Sequence, residues 1–512
     1  MRHLLVVLAL VGLAFPAAAD KPAPVDPAFE FDGLAAQARI DWGVPGLAVV
    51  VVKDGRVALA KGYGTRELGK NEPVDADTLF AAASTTKAMT AAAIGMLVDE
   101  GKLGWEDPVR KFVPELQLAD PVLADSLTVR ELLTHHTGIP GTDYLWYGGA
   151  LDWKQILAKL AKVGPEGRVR GSFHYQNVMY GLAGDVIGRV SGSSWEEFLR
   201  RRIFTPLGMS RTVALGSEAA TAPNRVSPHS REDGVIELWD TLDVVDPVAA
   251  AGSVWISAHD AAKWMSFLLD PTSVKDAAGK PLLSAETVAE LFRPQVVIQP
   301  GAFYPTAEKT QPHWTTYGLG WFQQDYRVRK LDFHTGSIDG LVAIVGLVRD
   351  ANFGVAVYAN QDHAELRHAL MFSAIDQFLD DGLSRDWNGE LRALYDERRA
   401  AGEKERAEFE AKRVPNQPPA LPLAAYAGTY ADPLFGEVSF TLEEGRLVAH
   451  LGKHLVGDAL PWHFETFRIT WRRKLDGTSW ATFRLGTDGT VQAVEADGTT
   501  YAKSAAAAPS TP

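Results

Sequence analysis

The 512-residue chain contains no cysteine. That excludes disulfides, thiolate zinc sites, iron–sulfur clusters and cysteine nucleophiles, and it leaves no thiol for lipid attachment. Beyond residue 15 no apolar run approaches the roughly 20 residues of a membrane-spanning helix. Basic side chains are in deficit, 51 Lys and Arg against 64 Asp and Glu, for a net charge of −13. Nucleic acid and anionic lipid are therefore not expected partners. No G-x-S-x-G elbow occurs, which argues against an α/β-hydrolase. The 13 histidines form neither H-E-x-x-H nor H-x-H-x-D, and His363 and His368, five apart, would sit about 140° apart around a helix, poor for one metal.

What is present begins with an export signal. Arg2 and His3 precede an apolar run, residues 4–15, and Ala17-Ala18-Ala19 gives a small-residue cleavage pattern. Residues 1–19 are expected to be removed, releasing a periplasmic or secreted protein without a stable membrane anchor.

Residues 46–53 are β-prone, Asp54-Gly55 is a hairpin signal, and 56–63 return as a second strand. Residues 84–101 read as a helix with Met89, Ala93 and Leu97 on one face and Gly101 as its stop. Further helices are expected over 129–135, 153–162, 180–190, 195–204 and 259–270. Apolar runs at 341–347 and 354–358 flank a polar turn at 349–352. Strands early, helices in the middle and strands late indicate one α+β domain, residues 20–388, whose sheet uses both ends of its sequence. A charged helix and a linker carrying Pro415, Pro418, Pro419 and Pro422 fill 389–422. Short strands between glycine turns then predict a small all-β barrel or sandwich over 423–503, with a disordered Ala/Pro tail at 504–512.

Chemistry concentrates in three short segments. Ser84-Thr85-Thr86-Lys87 places a hydroxyl and an amine one helical turn apart, so the amine can take the hydroxyl proton. At a helix start, backbone N–H groups also favour developing negative charge. Tyr175-Gln176-Asn177 adds a phenol, which a neighbouring ammonium would help to ionise, and an amide able to orient a substrate amide. His334-Thr335-Gly336-Ser337 adds a glycine that lets substrate approach the backbone. The Ser337 N–H, with that of Ser84, would form an oxyanion hole.

In this order S-x-x-K, Y-x-N and H-T-G resemble the serine β-lactamase and penicillin-binding protein superfamily, most of all its class C β-lactamase branch. Leu132-Leu133-Thr134-His135-His136-Thr137-Gly138, Ala251-Gly252-Ser253 and Tyr317-Gly318-Leu319-Gly320-Trp321 are similar to further segments of that family. The resemblance spans about residues 25–385. It implies a five-stranded antiparallel sheet flanked by helices, with a helical subdomain across a cleft. It also implies Ser84 as nucleophile, Lys87 and Tyr175 as the base system in either order, and Asn177 as orienter of the acyl-side amide. His334 and Thr335 would line the far wall beside Gly336, and Ser337 would be the oxyanion donor. Tyr426-x-Gly428-x-Tyr430 and residues 461–467 resemble the small, lipocalin-like β domain often attached to such hydrolases.

One departure bears on substrate. His334 stands where many β-lactamases carry lysine, and a free imidazole, with pKa ~6.5, is a weaker carboxylate partner. Arg170-Gly171 in place of Pro-Gly before the tyrosine motif, and His136-Thr137 in place of Thr-Ser, are expected to alter loops and not the chemistry. The expected activity is acyl-serine hydrolysis of amide or ester bonds, foremost in D-amino-acid peptides, by a D,D-peptidase or D-aminopeptidase, with peptidoglycan fragments among the candidate substrates. A carboxylesterase, for which Trp146 and Tyr147 would line an acyl pocket, and a weak β-lactamase are alternatives. A wall-fragment or penicillin sensor is the non-enzymatic one. No cofactor or metal is implied, and the oligomeric state is left open.

Overall fold

The computed structural model describes residues 26–504 apart from 148–150, 233–234, 240–241, 277, 381, 383–384 and 453. The expected signal at 1–19 and nearly all of the expected tail lie outside the described residues. Eight antiparallel strands form the main sheet: β1 Gly46–Lys53, β2 Arg56–Gly64, β3 Val296–Val297, β4 Thr315–Tyr317, β5 Phe322–Tyr326, β6 Arg329–Ile338, β7 Leu341–Val348 and β8 Phe353–Ala359. Their order is β2-β1-β8-β7-β6-β5-β4-β3. The sheet is larger than the five strands expected, because the chain around Tyr317–Trp321 folds back as a short hairpin and extends it.

The unbroken apolar run of β1 has a direct cause: both faces of this sheet are covered. Alternate side chains point to opposite faces. Ala48, Val50 and Val52 pack with α2 (Thr86–Asp99) and α4 (Ala258–Leu269). Leu47, Val49 and Val51 pack with α1 (Pro27–Asp41) and α5 (Leu366–Leu379). Each fully buried valine contributes roughly 1.5–2 kcal/mol of transfer free energy, and a carboxylate at Val50 would be stranded without a partner.

The helical subdomain holds α3 (Asn177–Ser191), which packs across α2. The helix is longer than residues 180–190: the Gln176 side chain accepts from the Val178 N–H at 3.0 Å and starts it at Asn177. The helix expected over 129–135 ends at Leu132, after which His135 adopts φ +57°.

Helix α6 (Trp387–Glu410) leads to the C-terminal domain. There, β9 Gly428–Asp432, β10 Gly436–Glu443, β11 Arg446–Leu451, β12 Leu455–His463, β13 Thr466–Trp471, β14 Thr478–Leu485, β15 Val491–Ala496 and β16 Thr499–Lys503 close into an antiparallel barrel. Of barrel and sandwich, the barrel is realised, through β9–β16 pairing. Tyr426, Phe467 and Phe483 meet in tilted and edge-on contacts, with ring centroids 5.0–5.3 Å apart, in its core. The proline linker is pinned to the barrel: the Ala420 N–H donates to Glu465 at 2.9 Å, and the Arg413 Nε donates to the Trp462 carbonyl at 2.7 Å. The barrel also touches the hydrolase domain. Lys474 pairs with Glu237 at 2.6 Å, Arg473 lies 3.9 Å from the Trp239 ring, and Tyr144 meets Phe435 edge-on at 6.0 Å.

Candidate active site

Ser84 sits in a single tight turn, Ala83–Thr85, directly before α2. Ala83 holds φ +46°, a left-handed conformation that costs an L-residue roughly 1–2 kcal/mol. The Thr85 hydroxyl donates to the Ala82 carbonyl at 2.8 Å and holds the turn.

Lys87, fully buried, lies one turn on. Its Nζ is 3.0 Å from Ser84 Oγ, 2.8 Å from Asn177 Oδ1 and 2.8 Å from the Ala251 carbonyl. Two of these partners can only accept. A neutral amine has two N–H bonds and one lone pair, so both N–H bonds are committed and the lone pair faces the Ser84 hydroxyl. Burial lowers the Lys87 pKa to about 7, opposed in part by the Asp143 carboxylate.

Asn177, at the start of α3, joins these groups. Its Oδ1 accepts from Lys87, and its Nδ2 donates to Asp143 Oδ1 at 3.0 Å. The same oxygen accepts from Trp146 Nε1 at 2.9 Å. Asp143 therefore fixes which way the Asn177 amide points, and its Oδ2 carries no side-chain bond among the described residues.

The Tyr175 side chain lines the same pocket as Ser84, and Lys87 Nζ lies 4.7 Å from its ring centroid. The expected easy ionisation is not found. Desolvation holds the phenol well above its ordinary pKa, outweighing the opposing influence of the Ser84 side chain. His135 stacks on Tyr175 at 4.2 Å and accepts the Gln176 N–H on Nδ1 at 3.0 Å.

Strand β6 brings the third segment alongside. Its pairing with β5 ends at Phe333, while pairing with β7 continues to Ile338. Residues 334–338 therefore have an edge without a strand neighbour. Gly336 is required for a reason other than the one expected: a Cβ there would lie 2.4 Å from the Ala82 carbonyl and 3.0 Å from the Ser84 nitrogen. The glycine lets the strand pack against the nucleophile turn itself. Thr335 and Ser337 face the pocket. His334 does not line it. Strand alternation turns its ring inward, where Nδ1–H donates to the Thr335 carbonyl at 2.6 Å and Nε2 accepts from the Tyr317 hydroxyl at 2.9 Å. Burial, then Lys87, lowers its pKa to about 3, so it is neutral. Behind the strand, buried Arg367 donates to the Gly336 carbonyl at 2.5 Å and Ser337 Oγ at 2.8 Å, and pairs with Glu365 at 3.0 Å.

These groups open onto a cavity of about 410 Å³, within the range of small-molecule sites. Ser84, Tyr175 and Asn177 meet a wall of Phe173, Phe303, Tyr304 and Phe322, and Asp143 is the one charged lining residue among those described. Trp146 and Tyr147 do not form this wall. Trp146 is anchored on Asp143, and the Tyr147 hydroxyl bonds Asp339 at 2.9 Å. Sequence reasoning missed Asp143, the Ala251 carbonyl and the aromatic wall. Ala251 lies in a segment already noted as family-like, whereas nothing local marks Asp143 or residues 303–304.

A hydroxyl and a near-neutral amine in contact, at a helix start and beside a free strand edge, define a serine hydrolase built on an antiparallel sheet. The chain belongs to the beta-lactamase family, whose profile matches residues 31–379. Residues 412–507 match a domain of unknown function, DUF3471. The chain is 28% identical over 424 residues to the unguisins hydrolase ungD' of Aspergillus campestris, covering 79% of this chain and 76% of that one. In fold it is similar to an octameric penicillin-binding protein homologue from Pyrococcus abyssi, with TM-score 0.59, 22% identity, and coverage of 93% of this chain and 99% of that one. It is also similar to the D-amino acid amidase of Ochrobactrum anthropi, with TM-score 0.57, 22% identity, and coverage of 69% and 99%.

Proposed function

We propose that the protein hydrolyses the amide bond that follows an amino-terminal hydrophobic D-amino acid, through an acyl-serine on Ser84. The observation that carries this reading is the charge of the pocket. Among the described residues Asp143 is its one charged lining group, and its Oδ2, which no described side chain bonds, suits an ammonium. A substrate carboxylate, as in a carboxypeptidase substrate or a β-lactam, would meet that charge unpaired. Arg367 offers no relief, because its guanidinium is buried and bonded to Glu365, Gly336 and Ser337. The aromatic wall suits an apolar side chain. Similarity to a D-amino acid amidase supports the D-configuration.

In this mechanism neutral Lys87 takes the Ser84 proton as Oγ forms a bond to the substrate carbonyl carbon. The oxyanion is met by the Ser84 and Ser337 N–H groups. As the C–N bond breaks, Tyr175 gives its proton to the leaving nitrogen and recovers one from the Lys87 ammonium. Water, deprotonated by the same amine, then attacks the ester; as the acyl C–O bond breaks, the Lys87 ammonium returns that proton to Ser84 Oγ, restoring the hydroxyl and the neutral amine. Lys87 is taken as the first base, a choice supported by burial, which brings the Lys87 pKa down to about 7 and pushes the Tyr175 phenol up.

A short-chain ester is the second reading, favoured by the same aromatic wall. Both are tested with D- and L-phenylalanine amide, their N-acetyl derivatives and p-nitrophenyl butyrate. The proposal expects D-phenylalanine amide to be turned over and its N-acetyl form to be at least tenfold poorer. Turnover of the butyrate ester alone would overturn it in favour of an esterase.

A further inference from the structure

A second cavity, of about 510 Å³, lies between the hydrolase domain and the mouth of the barrel. Tyr144 and Tyr147 line it from one side, and Phe435, Leu451, Leu455 and Tyr501 from the other. It contains none of the groups around Ser84. Folded interiors pack at a density of about 0.74 with few voids larger than a water molecule, whereas this space lies in the range that holds small organic ligands. An inner space of about 40 Å³ within the barrel shares Tyr144, Phe435, Leu451 and Tyr501 with it. The two spaces therefore adjoin across these four side chains.

The charge of the lining selects the ligand. Glu437 lines the outer cavity and Asp497 the inner one. Neither carboxylate has a side-chain hydrogen bond or ion pair among the described residues. Among the described lining residues the one basic side chain is His450, engaged by Thr441 at 2.9 Å and Glu443 at 3.3 Å. We propose that this cavity is a second binding site, for a cationic amphiphile. An aromatic or branched apolar group would enter toward Tyr144 and Phe435, and an ammonium would sit against Glu437. The occupant would touch the one-turn helix Asp143–Leu145, which presents Asp143 to the catalytic pocket on its other side.

The test is fluorescence titration of the full chain with dansylcadaverine, an aromatic amine whose emission rises on burial. The expected result is saturable one-to-one binding. Leu455→Trp, which fills the cavity, should weaken it at least tenfold, and Glu437→Gln at least threefold, with hydrolysis unchanged in both. Phe303→Ala, in the catalytic pocket, should leave dansylcadaverine binding unchanged. The site is refuted if no saturable binding occurs, or if binding follows Phe303→Ala and not Leu455→Trp. The assignment to a cationic ligand is refuted if Glu437→Gln binds as well as the parent. Glu437 is exposed, so that variant folds.

Discussion

Replacing Lys87 by methionine should abolish hydrolysis and, below neutrality, change stability in a way that reveals the protonation state of the amine. The folded pKa of Lys87 is about 7 against an ordinary 10.5. The unfolded chain therefore binds more protons than the folded one between those values, and wild-type stability rises with pH across that window. The cost of burying the amine is fully present below pH 7 and vanishes above 10.5. Integrating the two titrations, this residue costs roughly 5 kcal/mol at pH 6 and roughly 2 kcal/mol at pH 9. Methionine carries no such cost, although it leaves Asn177 Oδ1 and the Ala251 carbonyl without this donor, a loss of roughly 1–3 kcal/mol each that does not depend on pH. The informative quantity is thus the difference between the two pH values. Wild type should gain roughly 3 kcal/mol on Lys87→Met between pH 6 and pH 9. Urea unfolding of both proteins at both pH values, followed by tryptophan fluorescence with the hydrolase transition fitted separately from that of the barrel, gives the number. A pH-independent difference would show that Lys87 is not the depressed amine on which the mechanism depends.

The same amine should give wild-type kcat/KM an acid limb with a midpoint near pH 7, rising with pH as Lys87 loses its proton. No limb is expected from His334, whose pKa lies near 3; a stopped assay from pH 5 to 9 checks both. Asp143→Asn removes the carboxylate that supports the Lys87 ammonium, so that midpoint should move to lower pH while KM for D-phenylalanine amide rises. An unmoved midpoint would separate Asp143 from the amine. Gly336→Ala places a methyl 2.4 Å from the Ala82 carbonyl, and should cost activity by at least a hundredfold with a lower unfolding midpoint. Activity within threefold of wild type would show that strand β6 does not pack on the Ser84 turn as described.

The legible part of the site is the part built from local spacing. Ser84 and Lys87 are three residues apart, and one turn suffices to bring them into contact. Asn177 adjoins Tyr175, so one segment delivers both. The glycine turns of the barrel likewise announce its strands, although closure into a barrel depends on β9 meeting β16, a long-range pairing that no local pattern encodes. What escaped was decided by tertiary contact. Asp143 reaches Asn177 across 34 positions, and the aromatic wall is assembled from residues 173, 303, 304 and 322. His334 reads as a pocket residue until strand alternation and the Tyr317 hydroxyl turn it inward. Gly336 was recognised as necessary, but its reason lies in the approach of Ala82, visible only once the two segments are packed. The ionisation of Tyr175 was misjudged because a sequence shows a neighbouring lysine but not the desolvation that acts on both groups.

The most direct test of the central claim is rapid-quench intact mass spectrometry of the protein mixed with D-phenylalanine p-nitrophenyl ester, with Ser84→Ala in parallel and rates followed throughout. The account predicts a mass gain of one phenylalanyl group, mapped to the peptide containing Ser84, and no adduct and no turnover in the variant. Full turnover by Ser84→Ala, or an adduct mapped elsewhere, would contradict it.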